Sequence, residues 1–180
     1  MRRVKAENRS PSSSSTGPLG TFEQFGRIDS LEGGLSGLPF VNVSLLADLA
    51  QQQLDSGHPG NASALLRAAE HLCFAALAPK NSAQLTANIP RKLKAAVTAE
   101  MNRLTNSAQQ LWAATANTVN RAVIEALYAA ALADARLAFE CGAYRPALQL
   151  ARAAEALARV AEGLPATLPG NRQLIRLLAS

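Results

Sequence analysis

Residues Gly57–Leu72 read GHPGNASALLRAAEHL and residues Gly142–Leu157 read GAYRPALQLARAAEAL. Gly57, Ala62, Leu65, Arg67, Ala68, Ala69, Glu70 and Leu72 thus recur, without a gap, as Gly142, Ala147, Leu150, Arg152, Ala153, Ala154, Glu155 and Leu157. A phrase repeated in register limits the fold more than any composition does, because one supersecondary unit has to form twice. In each copy an apolar-periodic stretch ends at a Gly and a second one begins a few residues later, the pattern of a helical hairpin. Composition agrees: 48% of the residues are hydrophobic but only 4% aromatic, so the core must be built from Ala and Leu. Such a core favours helices that approach closely.

The chain therefore reads as all-α: a bundle of about five or six helices containing two similar hairpins, preceded by a disordered tail. Residues 1–38 are rich in Ser, Gly and Pro, as in SPSSSSTGPLG, and are expected to stay flexible. Within them Phe22, Phe25 and Ile28 form an apolar island suited to docking on the body. Residues 39–180 form the single domain. Its first hairpin pairs a helix over 43–56, with Ser44 as N-cap, and a helix over 61–77. From Arg91 to Cys141 there is neither Gly nor Pro. One helix of that length would reach roughly 75 Å at 1.5 Å per residue, which a domain this size cannot easily house, so a single long helix is the second reading and a break is the first. The polar tracts LTNSAQQ and TANTVN are the candidate breaks, with Ser107, Asn117 or Asn120 as caps, giving helices over 86–116 and 119–141. A helix over 145–162, a Gly/Pro linker and a short helix over 171–178 complete the chain.

The formal net charge of +5 is unevenly spread. Residues 80–121 carry six basic groups, Lys80, Arg91, Lys92, Lys94, Arg103 and Arg121, against the single acid Glu100. A basic face there could attract nucleic acid or an acidic partner, although a solvated helix face is the plainer reading. No stretch is apolar enough for a membrane span, the basic N-terminus lacks the apolar run of a secretory signal, and two cysteines make no disulfide framework. A cytoplasmic protein is expected.

Candidate chemistry is sparse. Arg67 and His71 are one helical turn apart, so a guanidinium could hold an anion while an imidazole moves a proton. Glu70 and Cys73 would complete that cluster. The Arg-Ala-Ala-Glu segment recurs, however, with Ala156 in place of His71, which favours a structural helix surface. His58, His71, Cys73 and Cys141 follow no zinc spacing, and no cofactor motif is recognisable. Trp112, the only tryptophan, reads first as a core anchor and second as a binding residue.

At the second copy, Ala135, Gly142, Tyr144, Ala147 and Ala154 stand where the tetratricopeptide hairpin places a small residue, its turn Gly, a packing aromatic and two further small residues. The chain resembles that family over about 65 of its 180 residues. It departs at Asp134, where the family prefers Leu, at Arg159, where it ends the hairpin with Pro, and at Pro59 in the first copy. The copies lie 85 residues apart, which excludes a tandem 34-residue array. The segment LLRAAEHLCFAAL is also similar to early helices of HEPN bundles, many of which are ribonucleases. The Arg and His of that family are separated by four to six residues, whereas Arg67 and His71 are separated by three, so the resemblance implies no intact nuclease signature.

The expectation is a non-catalytic interaction module that binds another protein or self-associates. Its hairpins rest on Gly57, Ala62, Ala69, Gly142, Tyr144, Ala147 and Ala154. The binding candidates are Arg67, His71, Arg91, Lys92, Lys94 and Trp112. The alternative is a basic helical bundle that binds nucleic acid.

Overall fold

A computed structural model describes residues 18–78, 91–114 and 122–160. These form six helices: α1 (Pro18–Glu32), α2 (Leu38–Asp55), α3 (Pro59–Ala76), α4 (Arg91–Ala114), α5 (Ala122–Glu140) and α6 (Tyr144–Ala158). No strand occurs among the described residues, and the bundle is all-α as the sequence implies.

Both copies of the repeated phrase are hairpins, α2–α3 and α5–α6, and their turns share the same capping hydrogen bonds. Gly57 and Gly142 take φ of 79° and 78°, the left-handed conformation that a residue without Cβ adopts at no steric cost. In the first turn the His58 N–H donates to the Gln53 carbonyl at 2.8 Å; in the second the Ala143 N–H donates to the Ala138 carbonyl at 2.8 Å. The glycine N–H groups reach Leu54 and Phe139, each at 3.0 Å. This Schellman arrangement satisfies the last carbonyls of α2 and α5 and turns the chain back on itself. Tyr144 then packs on Phe139, ring centroids 5.2 Å apart, where the first copy has Pro59 and Leu54.

The second helices of the two hairpins pack on each other. Helix α3 lies against α1, α2 and α6, and α6 lies against α3, α4 and α5. Ala62, Ala68 and Ala69 on α3 and their counterparts Ala147, Ala153 and Ala154 on α6 have no exposed surface. Side chains this small allow each helix to be covered by three others. Leu46, Leu65, Leu66, Ile124 and Leu157 fill the main core. A second cluster of Met101, Leu104, Ala135 and Ala151 fixes α4 on the second hairpin.

Several expected boundaries shift. The flexible tail expected over 1–38 is too long, because Pro18–Glu32 form a helix; residues 1–17 lie outside the described residues. The apolar island supplies the reason: Ile28 is 1% exposed and Phe25 packs against the same core, whereas Phe22 stays 60% exposed. Helix α2 begins at Leu38 rather than Val43, with a Pro in its first positions, where a missing N–H costs nothing. Ser44 is therefore inside the helix and is not its cap; its hydroxyl donates to Glu32 Oε1 at 3.2 Å. The described residues of the long Gly- and Pro-free segment lie in α4 and α5. LTNSAQQ is not the break, since Ser107 lies within α4, while TANTVN falls outside the described residues. Helix α6 ends at Ala158, short of the expected 162. The linker and final helix expected beyond it lie outside the described residues.

Two substitutions probe this architecture. Ala154→Leu inserts bulk at a fully buried position of α6 in the main core and is expected to cost about 1–3 kcal/mol, read from the urea midpoint. At Gly57 nothing lies within 4 Å of an added Cβ, so Gly57→Ala is expected to cost about 1 kcal/mol through its positive φ alone. A midpoint unchanged by Ala154→Leu would be incompatible with the packed seam.

Candidate functional site

The seam between the two hairpins opens into a groove of about 500 Å³. Helix α3 lines it with Gly60, Ser63, Ala64, Arg67 and His71, which recur every three or four residues along one face. Helix α6 contributes Arg152, Glu155, Ala156 and Arg159 at the same period, and α4 closes one side with Glu100, Arg103 and Leu104. The repeat explains the composition. Arg67 and Arg152 hold the same place in the two copies, and packing copy against copy brings both to one groove.

Pairing within the groove is uneven. Arg103 grips Glu100 through Nε and a terminal nitrogen, both at 2.8 Å, which holds the Glu100 carboxyl below its usual range and the guanidinium above. Glu155 accepts from Arg159 at 3.1 Å and from the Ser107 hydroxyl at 2.6 Å. Both carboxylates are thereby engaged. Among the described residues, Arg67 and Arg152 have no carboxylate partner.

His71 is half-buried at the seam, and its Nδ1 lies 2.8 Å from Gln149 Oε1. The amide oxygen is an acceptor, so Nδ1 carries the proton and Nε2 is the open ring nitrogen. Burial pushes the imidazole pKa down; the Gln149 hydrogen bond and Glu70 oppose this, while Arg152 and Arg67 add to it. The ring is therefore neutral at pH 7.

The expected cluster of Arg67, Glu70, His71 and Cys73 is only half assembled. Glu70 turns away from the groove to Arg27 of α1 at 3.8 Å. Cys73 is fully buried, and burial, reinforced by Glu32 and Glu70, pushes its thiol up to about 11, which keeps it protonated and a poor nucleophile. His58 lies at the first turn and Cys141 at the second, both exposed, so the four soft ligands are dispersed. Trp112 stacks on Tyr128 with centroids 4.3 Å apart and packs, partly buried, on the main core; it does not line the groove. Arg91, Lys92 and Lys94 are exposed at the start of α4 and do not line the groove.

Sequence reasoning singled out Arg67 and His71 but missed Arg103, Arg152, Glu155, Arg159 and Gln149. The recurrence of Arg-Ala-Ala-Glu was the available signal. It becomes a site only once the two copies are known to pack on each other. The chain matches no protein-family model, no curated protein and no solved structure. Among the described residues, no helix is long and apolar enough to cross a membrane.

The lowered pKa of His71 links stability to pH. The unfolded chain takes up the proton near pH 6.5, before the folded one does, so His71 stabilises the fold above that value and loses this contribution as pH falls toward the folded pKa. Between about pH 7.5 and about pH 5.5 the urea midpoint is expected to fall more for the wild type than for His71→Gln. Parallel loss in both proteins would show that the imidazole is not held neutral by the seam.

Proposed function

We propose that the protein is a non-catalytic helical interaction module that binds another protein or a second copy of itself. One observation carries this reading. An apolar cleft of about 230 Å³ lies where α2 begins and α3 ends, lined by Leu38, Pro39, Leu72, Ala75, Ala76 and Leu150, with Asn42 and Asp134 as its polar members. Leu38 is 59% exposed, and Leu77 beside it is 41% exposed. Large side chains left in water at a concave surface are what a partner's apolar residues cover. Asn42 Oδ1 is buried and has no hydrogen-bond partner among the described residues, so a donor from the partner would remove a standing cost.

The duplicated hairpin, with its turn glycines and crossing alanines, supports a tetratricopeptide-like reading of how the module is built. The free thiols of Cys73 and Cys141 support a reducing, cytoplasmic setting.

A second reading, a HEPN-like or other basic bundle that binds nucleic acid without an intact nuclease signature, rests on a different surface. Arg91, Lys92 and Lys94 stand together in solvent at the start of α4. Cations there oppose the positive end of the helix dipole, and a polyanion would relieve that repulsion.

Size-exclusion chromatography with light scattering separates the two readings. The full chain is expected to elute as a dimer or with a stoichiometric protein partner, independently of salt. Leu38→Glu combined with Leu77→Glu is expected to weaken that association by about 2 kcal/mol or more. Equal mass and equal bound protein in wild type and variant would sink the cleft as the interface. Co-eluting nucleic acid that is lost on changing Arg91, Lys92 and Lys94 to Glu would favour the second reading.

A further inference from the structure

The seam groove plays no part in the partner surface above, yet it is the larger cavity and the more polar one. Its volume of about 500 Å³ falls in the range of small-molecule sites. Four arginines and two glutamates line it, and the pairs Arg103–Glu100 and Arg159–Glu155 account for both carboxylates. The uncompensated charge therefore rests on Arg67 and Arg152, which approach from different helices. His71, tied to Gln149 through Nδ1, offers its second ring nitrogen.

We propose that this groove is a binding site for a small phosphomonoester, whose phosphate is clamped between Arg67 of α3 and Arg152 of α6. Charge and shape select the phosphate. A phosphomonoester carries about −2 at neutral pH and presents three terminal oxygens, so it can accept from two guanidinium groups arriving from two directions. A single carboxylate brings one negative charge against two guanidinium groups and leaves one positive charge uncompensated. Glu100 and Glu155 on the walls repel the next phosphate of a nucleic-acid strand but can accept from the hydroxyls of a compact ligand. A hydroxyl-bearing body is therefore favoured over both bare phosphate and a polyanion. The neutral His71 supplies one more polar contact without adding a cation, and its counterpart in the other copy is Ala156, so the ligand has one preferred orientation.

Isothermal titration calorimetry on the full chain tests this with ribose 5-phosphate, inorganic phosphate, ribose and a single-stranded oligonucleotide as probes. Saturable one-site binding of ribose 5-phosphate is expected, about tenfold tighter than inorganic phosphate, with no heat from ribose. Arg67→Gln and Arg152→Gln should each weaken it by about tenfold or more, while Arg136→Gln, exposed on α5 and outside the groove, should leave it unchanged. Circular dichroism melts confirm that the variants fold, and Arg152→Lys, which keeps the charge, should retain part of the affinity. Absence of saturable phosphate binding overturns the proposal. So does binding indifferent to Arg67→Gln and Arg152→Gln, and so does an oligonucleotide that binds more tightly than ribose 5-phosphate at the same arginines. Because Leu38 and Leu77 lie outside the groove, loss of phosphate binding and loss of partner binding are separately readable.

Discussion

Everything in this bundle depends on how closely α3 and α6 can approach. Each is the second helix of its hairpin and each packs against three other helices, so small side chains are needed where the backbones come close. The alanines at 62, 68, 69, 147, 153 and 154 are fully buried and make that approach possible. A methyl group costs no side-chain entropy and adds helix propensity, so the same residues that permit the packing also favour the helices being packed. Leucine and isoleucine supply the hydrophobic area around this line of alanines, and α1 adds Phe25 and Ile28 from outside. With so few aromatic rings, interdigitation rather than large single residues holds the chain together.

The repeated phrase made the hairpins legible, because helix periodicity and a turn glycine are local properties. The matching hydrogen bonds at Gly57 and Gly142 follow from them. Helix α1 was harder to read. Its surroundings are Ser-, Gly- and Pro-rich, and Phe22, Phe25 and Ile28 have value only once α3 is there to receive two of them. Composition averaged over residues 1–38 hides a short stretch whose helix is secured by tertiary contact rather than propensity. Ser44 misled for a related reason: Ser is a good cap in isolation, but Pro39 and the apolar residues before it extend α2 by a full turn.

Recognition of the groove failed at a different point. Arg67, His71 and the Arg-Ala-Ala-Glu recurrence were all visible, and a repeated charge on a helix is ordinarily a solvated one. What no local pattern discloses is that the copies pack against each other, so that equivalent charges converge instead of lying at opposite ends. Trp112 shows the converse. As a lone aromatic among polar neighbours it could be either anchor or binder, and its packing depends on Tyr128, sixteen residues away and on another helix.

Duplication also explains why the groove is not symmetric about the seam. The hydrogen-bonded pair His71 and Gln149 crosses the seam once, and the repeat offset carries it onto Ala156 and Ala64, which face the same groove as methyl groups. Arg67 and Arg152 are common to the copies, whereas the imidazole and the amide belong to one side each. A seam built from identical surfaces would treat both orientations of a bound molecule alike. Replacing one alanine by histidine and its opposite number by glutamine breaks that equivalence without disturbing the buried alanines that hold the helices together. The fully buried Ala62, Ala68, Ala69, Ala147, Ala153 and Ala154 lie outside the groove lining, so chemistry at 71 and 149 can change while that packing is preserved.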